Sequence, residues 1–408
     1  MKLSFRPSQA FTSFTAILFT IFVFGQKDLG LSMVKLESEL SKISEIGLIK
    51  GYGVIIVSKD STLFAKGYGY SDVQNQSPYT LNSIQNIASV SKTLIGIALL
   101  KAQEMGKLQL DDAINDHLDF KVTNPYHPKK PILIRHLATH TGTILDTDLY
   151  DEKAYYVINA EDLKLPVVKN IGETLHTLET KVSMETYLKN FLSEEGVWYK
   201  KKNFLKKRPG TTYEYSNVGA TLAAYVLEKA TGIPYDEFTR RHVLEPLGMK
   251  ASGWTFDTID QSKHSKLYTD TGEEIPRYAL VTYPDGGLLT DLHDFGTYLS
   301  ELMKGYHGEG TLLDKGSYQE IFRQQLPAKK VPKKPNSYDD EFNSGIFMGF
   351  SPKGTIGHTG GDPGISTFMF FNPKTGLGHI VMLNTSLSEA SINQQLIPIF
   401  KALQKALN

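Results

Sequence analysis

Strand-like runs at both ends of the chain are the feature that most constrains its fold. Near the N-terminus, Gly53 to Ser58 (GVIIVS) and Leu63 to Gly69 (LFAKGYG) are rich in β-branched and aromatic residues, and the polar KDST between them predicts a hairpin. Near the C-terminus, strands are predicted at Gly345 to Phe350, Ser366 to Asn372 and His379 to Asn384. Because strands need partners, we expect one sheet built from both ends of the chain.

Between these strands the pattern is helical. Thr93 to Met105 (TLIGIALLKAQEM) predicts an apolar helix ended by Gly106, and Val218 to Thr231 predicts another that is closed by Gly232. Further helical segments are predicted at residues 29–49, 235–244 and 391–407. We therefore expect an α/β (α+β) fold, in which an antiparallel sheet is flanked by helices and a mainly helical lobe, at about 107–340, is inserted between its strands.

Charge and cysteine content exclude several classes of protein. The chain of 408 residues carries 44 Lys plus Arg and 44 Asp plus Glu, so its formal net charge is zero. No overall field steers it to nucleic acid, and we expect no nucleic-acid partner. The absence of cysteine excludes disulfides, thiolate metal sites and a cysteine nucleophile.

The first 25 residues are typical of an export signal. Lys2 and Arg6 precede an apolar run from Phe11 to Gly25, which is short for a membrane span and ends abruptly at polar residues. We expect a cleaved signal peptide at 1–25 and a mature domain at 26–408, placed in the periplasm or outside the cell. An uncleaved N-terminal anchor is the alternative, because the run lacks a clean small-x-small cleavage site.

Ser89 and Lys92 form the first motif with chemical meaning. They stand three residues apart at the start of a predicted helix, which puts both side chains on one face. The helix dipole favours negative charge on the serine oxygen, and the lysine amine can accept its proton. By itself S-x-x-K is a weak signal, since Ser32 and Lys35 match it too.

Tyr215 and Asn217 form the second motif, just before the helix that begins at Val218. A phenol beside a lysine ammonium has its phenolate form favoured and can shuttle protons. The asparagine amide can donate to a substrate carbonyl. Read alone, Y-x-N is more often a loop with a buried tyrosine.

The third motif is His358-Thr359-Gly360-Gly361, which precedes an apolar strand. A strand edge with two glycines lets a substrate backbone approach and pair with it, and an exposed N–H there can stabilise an oxyanion. A second H-T-G begins at His140, and we interpret it as a helix stop and loop away from the C-terminal strands.

The three motifs in this order resemble the signatures of the serine β-lactamase, DD-peptidase and related esterase superfamily, and most closely its class C-like branch. Supporting phrases such as RHLATHTG (135–142) and the Gly-Gly-Leu at 286–288 extend the resemblance over about residues 45–400. The resemblance implies a sheet flanked by helices, a helical lobe, and an active site in the cleft between them.

The resemblance also implies roles for the motif residues. Ser89 would attack a carbonyl and form an acyl-enzyme, with Lys92 and Tyr215 sharing the roles of general base and acid. Asn217 would hold a substrate carbonyl, His358, Thr359 and Gly360 would bind substrate, and the backbone N–H groups of Ser89 and Gly361 would form the oxyanion hole. No cofactor and no metal are implied.

The chain departs from the family pattern at three places. His358 stands where many β-lactamases have a lysine, and a histidine of ordinary pKa is mostly neutral at pH 7, which favours a peptidase or esterase. Asp285 stands where a small residue is usual, and we interpret it as a surface turn residue. Residues 146–210 are polar and irregular and predict an insertion or lid.

Three functional hypotheses remain open. The leading one is hydrolysis, through an acyl-serine, of a D-amino-acid peptide, a peptidoglycan-derived peptide or a small ester. The alternatives are a true β-lactamase and a non-catalytic penicillin-binding or sensor module. A zinc site at His136 and His140 is disfavoured, because the pair lacks the glutamate of H-E-x-x-H, and a structural pair is the default.

Overall fold

The computed structural model describes residues 30–326 and 343–407. The predicted signal peptide at 1–25 lies outside these ranges. None of the helices in the described ranges is both long and apolar enough to cross a membrane.

An antiparallel sheet of eight strands organises the described residues. Its spatial order is β10-β11-β12-β13-β14-β1-β2-β3, so strands from both ends of the chain meet where β1 pairs with β14. The strands in chain order are β1 (Gly51–Val57), β2 (Thr62–Asp72), β3 (Ser77–Pro78), β4 (Gln85–Asn86), β5 (Tyr155–Val157), β6 (Leu267–Tyr268), β7 (Glu274–Ile275), β8 (Tyr278–Leu280), β9 (Leu289–Thr290), β10 (Asn343–Ser344), β11 (Gly349–Phe350), β12 (Ile356–Asp362), β13 (Ile365–Asn372) and β14 (Leu377–Leu383). The predicted fold class, a sheet built from both termini and flanked by helices, is confirmed.

The helices cover both faces of the sheet and fill the lobe between its halves. They are α1 (30–44), α2 (Lys92–Glu104), α3 (Ile134–Ala138), α4 (Leu149–Lys153), α5 (Met184–Leu192), α6 (Asn217–Thr231), α7 (Tyr235–Thr239), α8 (Leu292–Tyr306), α9 (Lys315–Ile321), α10 (Glu389–Ser391) and α11 (Ile397–Leu407). Wider π-helical turns at Arg240–Leu244 and Ile392–Leu396 follow α7 and α10.

Strand β1 shows why the sheet needs helices on both faces. All seven of its residues are buried, and their side chains alternate between two separate cores. Val54 and Ile56 pack with the terminal helices α1 and α11, whereas Ile55 and Val57 face the large core that contains α2 and α8. A continuous apolar strand of this kind is typical of a sheet covered on both sides.

Helix α2 runs through the centre of the large core. Every residue from Lys92 to Leu100 is buried, so this part of the helix is enclosed on all sides. Gly106 follows it with φ +67°, the left-handed conformation that commonly ends helices. The first residue of α2 is Lys92, so the amine of this side chain lies in the interior of the protein.

The segment 146–210 is joined to the rest of the lobe by regular pairing. Its strand β5 pairs with β8 from Tyr155↔Leu280 to Val157↔Tyr278, and its helix α5 packs against α6. Two tyrosines of this segment, Tyr150 and Tyr155, are buried. The segment therefore shares the core of the lobe that it was predicted to cover.

Two predicted elements differ in extent. The strand predicted at Gly345 to Phe350 forms only at its end, as β11 (Gly349–Phe350). Residues 345–348 are instead the turn between β10 and β11, because Phe347 takes φ +49° and its N–H donates to the carbonyl of Ala138 at 2.8 Å. The first helix ends at residue 44, before the left-handed Gly47. Both differences reflect contacts and turns that apolar periodicity does not encode.

Strand β12 passes unusually close to the turn that precedes α2. A Cβ added at Gly360 would stand 2.4 Å from the Ile87 carbonyl oxygen and 3.1 Å from both the Ala88 Cβ and the Ser89 nitrogen. A Cβ at the neighbouring Gly361 would meet nothing within 4 Å. Gly360 therefore permits a backbone contact that joins the C-terminal strands to Ser89.

We expect Gly360→Ala to destabilise the protein and Gly361→Ala to leave its stability nearly unchanged. The methyl group at 360 must displace backbone, and overpacking of this kind costs about 1–3 kcal/mol. Thermal unfolding of the two variants measures the difference. Equal midpoints would contradict the close contact between β12 and the Ser89 turn.

Candidate active site

Ser89 lies in a 3-10 turn, Ala88–Ser91, that runs directly into α2. Its side chain is partly exposed, whereas Ala88 and Val90 on either side of it are buried. Ala88 has φ +47°, a left-handed conformation that is strained for a residue with a Cβ. The surrounding contacts thus hold the serine in a sharp turn that opens to one side.

Lys92 is completely buried, at 0% exposure, and its amine contacts the predicted nucleophile. The Nζ atom lies 3.0 Å from Ser89 Oγ and donates to the main-chain oxygen of Asp285 at 2.7 Å. It also stands 5.1 Å from the centre of the Tyr215 ring. The structure therefore brings Ser89, Lys92 and Tyr215 together, as the sequence predicts.

The Tyr215–Asn217 motif is held by a helix cap. Ser216 is the N-cap of α6, and its hydroxyl accepts from the Gly219 N–H at 2.8 Å. Asp146 accepts from the N–H groups of Asn217 (2.5 Å) and Val218 (2.9 Å) and from the Ser216 hydroxyl (3.0 Å). Asp146 thus fixes the backbone on which Tyr215 and Asn217 stand.

His140 corrects the interpretation of the second H-T-G as a loop away from the C-terminal strands. It does follow helix α3, with φ +51°, but its ring stacks on Tyr215 at 4.4 Å and meets Phe347, between β10 and β11, at 5.4 Å. Burial, together with the charge of Lys92, lowers the pKa of His140 well below its ordinary value. Its Nδ1 accepts from the Ser216 N–H at 3.2 Å, as a neutral ring requires. His140 is therefore a structural support behind Tyr215.

The third motif lies on β12, beside the other two. His358 is buried, its ring centre is 6.2 Å from that of Tyr215, and its Nδ1 lies 2.5 Å from the Thr359 carbonyl. The ladder between β12 and β11 covers only Ile356 and Gly357, so it stops before His358. Gly361 is exposed and follows Gly360 next to the Ser89 turn. This edge is the place where the sequence predicts substrate pairing and an oxyanion N–H.

Asp285 corrects the prediction of a surface turn. It is 1% exposed, and its carboxylate accepts from the hydroxyls of Tyr150 and Thr221, each at 2.9 Å. Burial raises the pKa of Asp285 to about 6, against the opposing effect of the Lys92 charge. The turn lies beside the Ala88 main chain, which a Cβ on Gly286 would meet at 3.7 Å. The departure from a small residue was visible in the sequence, but its burial was not.

Asp362, immediately after Gly361, is a second carboxyl group that sequence reasoning missed. Its Oδ1 accepts from the Tyr155 hydroxyl at 2.8 Å, and its Oδ2 would be 3.3 Å from a Cβ on Gly286. Burial, together with the nearby charge of Asp285, raises the pKa of Asp362 to about 8. Two tyrosines of the 146–210 segment therefore each donate to a carboxyl group that flanks the Ser89 turn.

Within residues 30–326 and 343–407, no three His, Asp or Glu side chains cluster in a way that could bind an ion. His136 Nδ1 accepts from the Leu133 N–H at 3.1 Å at the start of α3, which is a structural capping contact.

Fold and site together define the class of the protein. A serine at a helix start, a buried lysine and a Y-x-N tyrosine meet at a glycine-rich strand edge, and this is the arrangement of a serine hydrolase of the β-lactamase fold. The Beta-lactamase family model matches residues 37–402, and the chain belongs to this family.

The relatives of the chain agree with this assignment. It is 24% identical over 374 residues to protein flp of Staphylococcus aureus strain MW2. The aligned region covers 89% of this chain and 63% of that protein. The chain thus spans a little less than two thirds of that relative's length.

Solved structures show the same fold. The octameric penicillin-binding protein homologue from Pyrococcus abyssi aligns with a TM-score of 0.69 and 22% identity, over 90% of this chain and 77% of that one. D-amino acid amidase from Ochrobactrum anthropi SV3 aligns with a TM-score of 0.65 and 20% identity, over 93% and 100% of the two chains.

We expect Asp146→Ala to lower both stability and turnover. Loss of a helix cap typically costs about 1 kcal/mol, and the released backbone would misplace Tyr215 and Asn217. Asp148→Ala is the matched control, because Asp148 is exposed and makes no side-chain capping bond to α4. Denaturation curves and ester turnover measure both effects, and equal behaviour of the two variants would contradict the role of Asp146.

The Asp362 carboxyl predicts a pH dependence of stability. Because its pKa rises from 3.8 to about 8 on folding, the folded state retains a proton that the unfolded state has lost between these pH values. The free energy of unfolding should therefore fall as pH rises from about 4 to about 8, which Asp362→Asn would prevent.

At about 1.4 kcal/mol per pKa unit, the variant should gain on the order of 4 kcal/mol over wild type between pH 5 and pH 9. Urea denaturation followed by tryptophan fluorescence measures this change. A stability difference that is the same at both pH values would refute the assignment.

Proposed function

We propose that the protein is an exported serine hydrolase that cleaves an amide or ester through an acyl-enzyme on Ser89. The observation that carries the proposal is the 3.0 Å contact between Ser89 Oγ and the buried amine of Lys92. A lysine with a purely structural role would not need a partly exposed serine hydroxyl beside it. An acyl-transfer site does need one, because the substrate must reach the nucleophile.

In acylation, neutral Lys92 takes the proton of Ser89 as the Oγ–carbonyl carbon bond forms. The tetrahedral oxyanion would accept from the N–H groups of Ser89 and Gly361, one of which lies at the exposed edge of β12. Lys92 then returns the proton through Tyr215 to the leaving group as the scissile bond breaks. Water hydrolyses the acyl-serine by the reverse proton path.

Substrate preference follows from the edge of β12. Asn217 and Thr359 would hold the substrate's carbonyl and backbone, and His358 replaces the lysine that suits a carboxylate. This favours a D-amino-acid peptide, a peptidoglycan-derived peptide or a small ester over a β-lactam drug. The likeness in fold to D-amino acid amidase supports the amide alternative.

The proposal predicts a serine-linked adduct. The protein without its predicted signal peptide is incubated with a fluorescent penicillin and with p-nitrophenyl acetate and butyrate, beside Ser89→Ala and Lys92→Met. We expect turnover or labelling in wild type and at least about 1000-fold less in both variants, because nucleophile and base act together. Mass spectrometry locates the adduct.

The pattern of activity separates the alternatives. A lasting label on Ser89 without turnover indicates a penicillin-binding peptidase or sensor, rapid drug hydrolysis indicates a β-lactamase, and ester turnover without labelling indicates an esterase or narrow peptidase. Identical behaviour of wild type and Ser89→Ala on every substrate would refute the proposal.

A further inference from the structure

Asp285 contacts the Lys92 site in two different ways. Its main-chain oxygen accepts a 2.7 Å hydrogen bond from Lys92 Nζ, and its carboxylate is buried in the protein. The carboxylate accepts from the Tyr150 hydroxyl at Oδ1 and from the Thr221 hydroxyl at Oδ2. Burying an ionised carboxylate costs free energy, so we expect a further stabilising interaction near it.

Lys92 can provide that interaction, because the charge of its ammonium group is also removed from water. A buried ammonium is strongly disfavoured unless an opposite charge lies near it. Among the described residues, the polar groups near it include the Ser89 hydroxyl, the Tyr215 ring and neutral His140, which is coupled electrostatically to His358. They also include three carboxyl groups whose electrostatic coupling to Lys92 opposes the effect of burial. The three carboxyl groups belong to Asp146, Asp285 and Asp362.

Only one of these carboxyl groups suits the role of counter-charge. Asp146 is engaged by three donors at the start of α6, where the helix dipole already balances its charge. Asp362 has a pKa of about 8 and is mostly protonated at neutral pH. Asp285, with a pKa of about 6, is mostly ionised there.

We propose that Asp285 is a positioning residue for Lys92, with its main-chain oxygen holding the amine against Ser89 and its carboxylate acting as the counter-charge of the ammonium. The Tyr150 hydroxyl orients that carboxylate, and this gives the 146–210 segment a part in the chemistry. The inference rests on the proposed acyl-serine function.

The counter-charge has a defined kinetic consequence. Lys92 must lose its proton before it can accept the proton of Ser89, and a neighbouring carboxylate makes that loss harder. Removing the negative charge should therefore let the site work at lower pH. Asp285→Asn does this while it keeps the main-chain oxygen and the size of the side chain.

The test is the pH profile of kcat/KM for p-nitrophenyl acetate, with hydrolysis by Ser89→Ala subtracted at each pH. We expect the rising limb of the profile to move to lower pH in Asp285→Asn by about one unit. Tyr150→Phe, which loses one donor and keeps the carboxylate, should raise the Asp285 pKa and move the limb in the same direction by a smaller amount.

Tyr235→Phe is the matched control. Its hydroxyl is buried and has no hydrogen-bond partner within the described residues, and the side chain packs against Trp254. It removes a buried tyrosine hydroxyl as Tyr150→Phe does, but without touching Asp285. Its profile should overlay that of wild type.

Two further results would overturn the inference. One is an active wild type whose pH profile is unchanged or moved to higher pH in Asp285→Asn. The other, which remains readable if Asp285→Asn fails to fold, is a Tyr150→Phe profile identical to that of Tyr235→Phe. Failure of the proposed function is distinct, since wild type would then be no more active than Ser89→Ala at any pH.

Discussion

The burial of Lys92 is the constraint on which the rest of the site depends. An amine at the buried start of a helix must find its partners inside the protein, and the structure supplies the Ser89 hydroxyl and the Asp285 main-chain oxygen. With water excluded, each of these interactions is stronger than it would be at the surface.

Close backbone contacts build the site around this lysine. Gly360 lets β12 approach the Ser89 turn, and the turn that carries Asp285 lies beside Ala88. Side chains from helix starts and strand edges then converge without long loops. The left-handed conformations of Ala88 and His140 are the local strain that this convergence requires.

The 146–210 segment is part of this construction. Its Asp146 caps the helix that carries the Y-x-N motif, and Tyr150 and Tyr155 donate to the two carboxyl groups beside the Ser89 turn. A polar, lysine-rich segment is therefore tied to the site by a few inward-facing side chains, while its other residues remain at the surface. The amino-acid composition of the segment reflects its surface residues and does not reveal these buried contacts.

The sequence by itself determined the elements and the order of the motifs. The hairpin, the apolar helix after Ser89, the helix after Asn217 and the C-terminal strands follow from local periodicity and from glycines at helix ends, which depend on neighbours in the chain. The three motifs were chosen over their decoys because their order along the chain resembles one family.

Only the tertiary structure determined which further residues are buried next to those motifs. Asp285, between a proline and two glycines, has the local pattern of a surface turn, and His140 that of a helix stop, yet both are buried against Lys92 or Tyr215. Burial depends on which distant segments pack together, and the residues next to a position in the sequence do not reveal this. For the same physical reason, the charge environment of the lysine could be known only from the folded protein.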